Sequence, residues 1–263
     1  MNDFYDQLAP FYSLIYGDWD AAIARQATQL STLIQDTWGT PAKTILDVSC
    51  GIGTQALGLA EEGYHVTASD LSSVEIKRAR IEAQKRGLEI PFSVCDMRQV
   101  HEHQPADFDV VISCDNAVPH LLTDADILQA LRSFYACTRS GGGCLITVRD
   151  YDQEAKGKGA KGKGIVKPYG IREADSKRYL VFQVWDFEGT CYDLAFYFVE
   201  EDLQSKQVQT HVMRSRYYAL SPNHLMELME EAGFKHIQRL DQAFFQPVLI
   251  GLKNYSHPKS YLV

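Results

Sequence analysis

The residues best able to do chemistry stand close together in ILDVSCGIGTQALGLAEEGYHVTASD, residues 45–70. Asp47, Ser49, Gly51 and Gly53 fall on every second position as one apolar run ends, and Asp70 closes the next. Glycines at such a turn let the backbone approach a ligand, and the helix that follows offers free N–H groups to a polar group. A carboxylate at the end of the second run can accept from two vicinal ribose hydroxyls. The chemistry implied is the holding of a nucleotide-like cofactor. Gly51, Gly53 and Ala56 also satisfy G-x-G-x-x-G/A, so a nicotinamide dinucleotide, and hence an oxidoreductase, stays open on spacing alone.

Further candidates follow the later apolar runs. Asp96 and Met97 end PFSVCDM, CDNAVPHLL (114–122) follows FDVVIS, and Arg149 closes CLITVR. In open α/β sheets ligands lie beyond the carboxyl ends of the strands, where these residues would stand. His120 can be a packed or capping histidine or a proton-transfer group, and Arg149 can pair with Asp150 or Asp152 or hold an anion.

The elements that must position them alternate. Ile23, Ala27, Leu30, Ile34 and Trp38 make one apolar stripe on a covering helix over 20–38. The strand KTILDV, a helix from Thr54 to Glu62, the strand HVTASD and a helix opening at Ser72 come next, with Ser72 and Glu75 spaced as a capping box. PFSVCD and FDVVISC read as strands, 123–138 as a helix, Gly141–Gly143 as a turn and CLITVRD as a fifth strand. This order predicts a doubly wound α/β fold, and the closely joined strands FKHIQRL and FFQPVLIGLK should add an antiparallel pair, giving a mostly parallel seven-stranded sheet. KGKGAKGKG, 156–164, reads as a mobile surface loop. Three aromatic-rich strands between it and about 219 form an antiparallel insertion expected to cap the acceptor pocket. The boundaries are then 1–40 for a covering segment, 41–150 for the cofactor core, 151–219 for the insertion, and 220–263 for a helix and strand pair completing the core.

A net charge of −8 opposes binding to a nucleic-acid backbone, and no run approaches a membrane span, so a small-molecule partner is expected. Six cysteines without metal-ligand spacing read as reduced thiols of a cytoplasmic protein with no metal site. Oligomeric state is left open.

The run from Asp47 to Gly53 resembles the first motif of the class I S-adenosylmethionine-dependent methyltransferases, acid-x-Gly-x-Gly-x-Gly, with Ser49 at the first glycine. The resemblance extends from about Tyr5 to Lys253 and implies a Rossmann-like methyltransferase fold and S-adenosyl-L-methionine as cofactor. It implies that the turn formed by Asp47, Ser49, Gly51 and Gly53 approaches the methionine part, that Asp70, with Leu71 beside it, holds the ribose, and that Asp96 and Met97 hold the adenine. LIYGD, CDNAVPHL and ITVRDYD look like segments of the glycine/sarcosine N-methyltransferase branch. That likeness implies Asn116 at the reacting amine, Cys114 as a backbone contact to cofactor, His120 near the sulfonium and Arg149 on the acceptor carboxylate. Tyr12 and Tyr16 are chosen from the N-terminal aromatics as ring faces for a sulfonium, Tyr16 with the catalytic group and Tyr218 with the substrate side. The branch has a cofactor-gripping arginine where Ala22 stands, and Arg25 is its substitute. The activity implied is methyl transfer to a small-molecule acceptor such as a glycine- or sarcosine-like amine, with cofactor sensing without turnover as the alternative.

Overall fold

Fully buried apolar runs fix the centre of the sheet. In the computed structural model, which describes residues 2–105, 107–154 and 162–254, every residue of β4 (Phe108–Ser113) is buried, as a strand covered on both faces requires. It lies beside β1 (Thr44–Asp47), followed outward by β2 (His65–Asp70) and β3 (Phe92–Val94), all parallel. On its other side lie β5 (Thr138–Thr147), then β11 (Val248–Leu252) and β10 (Lys235–Leu240), the last two antiparallel to their neighbours. The seven-stranded sheet is thus as expected, with its reversal of strand order between β1 and β4.

One face is covered by α2 (Trp19–Trp38), α3 (Thr54–Glu61) and α4 (Ser73–Lys85), with Ile23, Leu30 and Ile34 packed on Leu57, Ala79 and Ile112. Asp18 caps α2 by accepting from the Ala21 N–H at 3.0 Å. The other face carries α5 (Asp124–Cys137), α7 (Pro222–Glu231) and the short α1 (Asn2–Leu8). Only half of the expected capping box forms on α4. Ser72 Oγ accepts from the Glu75 N–H at 3.1 Å, but the Ser72 N–H goes to Asp70 Oδ1 at 2.9 Å, so the Glu75 carboxyl does not reach back.

Two readings of the sequence are corrected. Gly141–Gly143 is not a turn but part of β5, where the glycines admit a close backbone approach. A Cβ on Gly142 would stand 2.5 Å from the Asp109 carbonyl, and one on Gly143 2.3 Å from the Gly251 carbonyl and 2.7 Å from the Trp38 ring. The insertion has four strands rather than three, β6 (Ile165–Ala174), β7 (Lys177–Glu188), β8 (Cys191–Asp202) and β9 (Val208–Tyr218), in that order. Pro168 and Gly170 mask β6 in the sequence. An edge strand tolerates both, and the pairing shifts register between them. Residues 156–161 of the Lys/Gly loop lie outside the described residues, whereas the Gly162 carbonyl and Gly164 N–H are bonded to Phe187 and Asp186. The inward face of this second sheet, including Trp185, Tyr192, Phe196 and Tyr217, shares one apolar cluster with α1, α5 and α7. A four-residue helix, α6 (Tyr151–Glu154), leads from β5 toward it.

Gly143→Ala should destabilise the fold by about 1 to 3 kcal/mol, the usual cost of overpacking, because the Gly251 carbonyl belongs to the adjacent strand and cannot give way. Urea unfolding with an unchanged midpoint would contradict this packing.

Candidate active site

The crevice at the β1/β4 reversal opens at the carboxyl ends of the strands, where the glycine turn enters α3. Gly51 holds φ +54°, a left-handed conformation that glycine adopts without strain. Its N–H donates to Asp70 Oδ2 at 2.9 Å, while the Ser72 N–H holds Oδ1 at the same distance. Burial raises the Asp70 pKa above the ordinary carboxylate value, and these N–H groups pull it back. The cleft wall includes Tyr12, Ser49, Gly51, Asp70, Leu71, Asp96, Met97, Cys114 and His120.

Asp47 and Gly53 stand behind that wall. Asp47 is 1% exposed, and Oδ1 accepts from the Ser49 N–H at 3.2 Å while Oδ2 has no partner. Burial raises its pKa to about 7. Gly53 opens α3 at φ +99°, with Leu57 3.1 Å from where a Cβ would lie. The Ser49 hydroxyl reaches Ser113 Oγ at 2.9 Å, so this departure from glycine ties β1 to β4. Asp96 is already engaged. Burial pushes its pKa up, but the Arg98 side chain, with Nη2 at 2.6 Å, prevails and holds it below the usual range.

A second cavity of about 650 Å³ lies beside the cleft and shares Asp115 with it. Asp115 and Asn116 follow β4 at φ +55° and +64°, a region costly for non-glycine residues. Their N–H groups donate to Thr147 Oγ1 at 2.8 Å and the Thr147 carbonyl at 3.1 Å. The turn directs Asn116, expected at a reacting amine, inward. It is 1% exposed, lines neither cavity, accepts from the Arg149 N–H at 3.0 Å and bonds the Tyr151 hydroxyl at 2.8 Å. Asp115 takes the cavity position instead. Its carboxylate accepts from the Tyr16 hydroxyl and Gln246 Nε2, both at 3.3 Å. Burial raises its pKa, and the Arg149 charge opposes the rise.

Arg149 lines this second cavity with Tyr16 and Arg25. Its guanidinium lies 5.1 Å from the centre of the Trp185 ring and donates to the Tyr192 hydroxyl at 3.2 Å, but forms no ion pair among the described residues. The rival pairing with Asp150 fails because Arg239 holds that carboxylate at 2.6 Å. Arg25 is exposed and faces this cavity rather than the cofactor cleft, contrary to expectation. Tyr218, expected on the substrate side, lines neither cavity. Strand alternation sends it toward Asp124 and sends Tyr217 inward, 3.9 Å between ring centres from His120.

His120 lines the cleft as a packed, neutral imidazole. The Tyr5 hydroxyl meets Nε2 at 2.5 Å, and Ser215 Oγ lies 3.5 Å from Nδ1. Burial, reinforced by the Arg149 charge, lowers its pKa to about 3. Sequence reasoning missed Asp115, Tyr217 and the buried cleft residue Glu75. Strand alternation could have found Tyr217, but an inverted Asp-Asn turn leaves no periodic signal.

Comparison with known proteins agrees with this architecture. Residues 45–142, from β1 into β5, match a family described as a methyltransferase domain. The chain is 30% identical over 151 residues to the glycine/sarcosine N-methyltransferase of Parasynechococcus marenigrum (strain WH8102), an alignment covering 57% of this chain and 52% of that protein. The chain thus spans about half the length of that curated relative. Streptomyces venezuelae DesVI shares the fold with a TM-score of 0.76 at 20% identity, over 97% of this chain and 98% of that one. An amino pentose methyltransferase from Micromonospora echinaspora, solved with SAM bound, gives 0.72 at 16% identity, over 88% and 92%. Residues 45–142 thus match a methyltransferase domain, and the chain shares its overall fold with solved methyltransferases. In the cleft the half-buried Asp70 stands among apolar Val48, Leu71 and Met97, a polar acceptor set in an apolar wall.

Because the folded His120 pKa of about 3 lies below the unfolded value, only the unfolded chain binds this proton as the pH falls. The associated stability is fully present above about pH 6.5 and is lost toward the folded pKa, on the order of 2 kcal/mol by pH 5. Urea unfolding at both pH values should show a smaller loss for His120→Gln. Equal losses in variant and wild type would refute a buried neutral imidazole.

Proposed function

We propose that this chain transfers the methyl group of S-adenosylmethionine to a small molecule bearing both an amine and a carboxylate, of the glycine or sarcosine type. The observation that carries this reading is Arg149, a half-buried guanidinium with no carboxylate partner among the described residues, in a cavity that meets the cofactor cleft at Asp115. A planar guanidinium can hold a carboxylate through two parallel hydrogen bonds. Trp185 and the Tyr192 hydroxyl fix its plane. The likeness to a glycine/sarcosine N-methyltransferase supports the same acceptor class.

Bound S-adenosylmethionine supplies a methyl group on a sulfonium, an excellent leaving group. The protein's work is therefore positioning and exclusion of water. Asp70 accepts from the ribose hydroxyls, Leu71 and Met97 flank the adenine with Asp96 at its edge, and the Ser49–Gly51 backbone and Cys114 border the methionine part. Tyr12 and Tyr16 present rings and hydroxyls at the junction of the two cavities. An amine must offer its lone pair, and Asp115 Oδ1 or Oδ2, with a raised pKa, takes up the proton. A His120 pKa of about 3 makes that ring a weak base, so its part is to hold Tyr5 on the cleft wall while it packs on the Tyr217 ring.

A methyl-transfer screen over glycine, sarcosine and carboxylate-free amines tests the reading, and turnover confined to the last group would overturn it. Arg149→Lys keeps the charge but loses the planar fork, so kcat/KM for the carboxylate acceptor should fall about tenfold or more with cofactor affinity unchanged. Asp70→Ala should instead weaken S-adenosylmethionine binding at least about tenfold, since hydrogen bonds to a charged group are worth about 1.5–3 kcal/mol each. Calorimetry that finds the Asp70 variant binding as tightly as wild type would remove the ribose assignment.

A further inference from the structure

One carboxyl group in the cofactor cleft has no structural partner. Glu75 is on the first turn of α4, 1% exposed, and lines the cleft beside Gly51. A Cβ on Gly51 would stand 3.5 Å from Glu75 Oε2. Its Oε1 is buried without a hydrogen bond, and neither oxygen bonds any described residue. The expected capping role is absent because Asp70 already holds the Ser72 N–H.

The charges around it do not compensate an anion. Asp70 faces it from the end of β2, Asp6 from α1 and Arg78 from α4, with the hydroxyls of Tyr5 and Tyr12 and the Cys50 thiol nearby. The Arg78 guanidinium is engaged by the Ala9 carbonyl and by Ser13 Oγ, and Asp6 accepts from Ser72 Oγ at 2.6 Å. Burying an unpaired carboxylate beside two others is costly, and a neutral acid is the stable form. Burial raises the Glu75 pKa well above the ordinary value, Asp70 and Asp6 raise it further, and Arg78 opposes them.

We propose that Glu75 binds the adenosyl ribose as a neutral carboxylic acid, paired with the anionic Asp70. An ionised carboxylate only accepts, so Asp70 can take the protons of the ribose hydroxyls but offers nothing to their oxygens. The O–H of Glu75 donates to one of those oxygens, and the pair supplies acceptor and donor to one diol. This rests on S-adenosylmethionine being the cofactor. It makes binding dependent on one retained proton: affinity is constant below the Glu75 pKa of the free protein and falls as the pH rises above it.

Calorimetric titration with S-adenosylhomocysteine and with adenosine, which has no group titrating between about pH 6 and 9.5, tests the assignment. Glu75→Gln keeps a donor and an acceptor without a titrating proton. It should bind both ligands within about threefold of wild type near pH 6. Glu75→Leu should bind both at least about tenfold more weakly while unfolding at no lower temperature. Wild-type affinity for adenosine should fall as the pH rises through the Glu75 titration, whereas Glu75→Gln shows no such fall. A Gln variant as weak as the Leu variant, a Leu variant as tight as wild type, or parallel pH profiles for wild type and Gln would each overturn the proposal. Failure of the wild type to bind S-adenosylmethionine or S-adenosylhomocysteine would instead remove the cofactor reading beneath it.

Discussion

Two consecutive residues after β4, Asp115 and Asn116, hold left-handed backbone, and the second cavity depends on their staying there. Such conformations cost on the order of 1–3 kcal/mol each and persist only where surrounding bonds over-determine them. Here Thr147 takes both N–H groups, and the Asn116 side chain is bound to the Arg149 backbone and to Tyr151. The same turn that sends an amide into the interior presents a carboxylate to both cavities. Tyr16 and Gln246 then fix that carboxylate from the N-terminal segment and from the approach to β11.

Much of the cofactor half was legible because its signals are local. The buried runs of β1 and β4, the glycines entering α3, the caps Ser72 and Thr123, and Asp70 at a strand end each follow from steric or hydrogen-bonding rules over a few residues. The acceptor half was less legible because it is set by tertiary contacts. Gly142 and Gly143 look like a turn until Asp109 and Gly251 are seen pressing on them, and β6 is concealed by Pro168 and Gly170. Asp115 rather than its neighbour Asn116 lines the cavities, and Tyr217 rather than its neighbour Tyr218 packs against His120, because a backbone reversal or a strand's two-residue period exchanges adjacent side chains completely. Arg25 was carried over by likeness, and the α2 register puts it on the neighbouring cavity.

The site distributes its charge unevenly. Asp47, Asp70, Glu75 and Asp115 are all drawn into low-dielectric surroundings, and burial raises the pKa of each. Among these four, Asp70 alone accepts from both the Gly51 and Ser72 N–H groups, so negative charge is best supported there. Arg149 is the counterweight on the other side, insulated by aromatic rings rather than by an acid. The second cavity is therefore bipolar, with a carboxyl group at Asp115 and a guanidinium at Arg149.

The place of β11 has a kinetic consequence. β5 pairs with β4 on one side and with β11 on the other, and Val248 stands opposite Thr147 only after the whole four-stranded insertion has been made. During synthesis the nearly complete cofactor half therefore carries an open edge of apolar strand, and loop closure over that distance slows its final pairing. The insertion contributes its inward face to the same core as α5 and α7, so it cannot finish early as an independent unit. Conditions that shorten the delay between translation of the insertion and docking of the last strand should decide how much of this chain is recovered folded rather than aggregated.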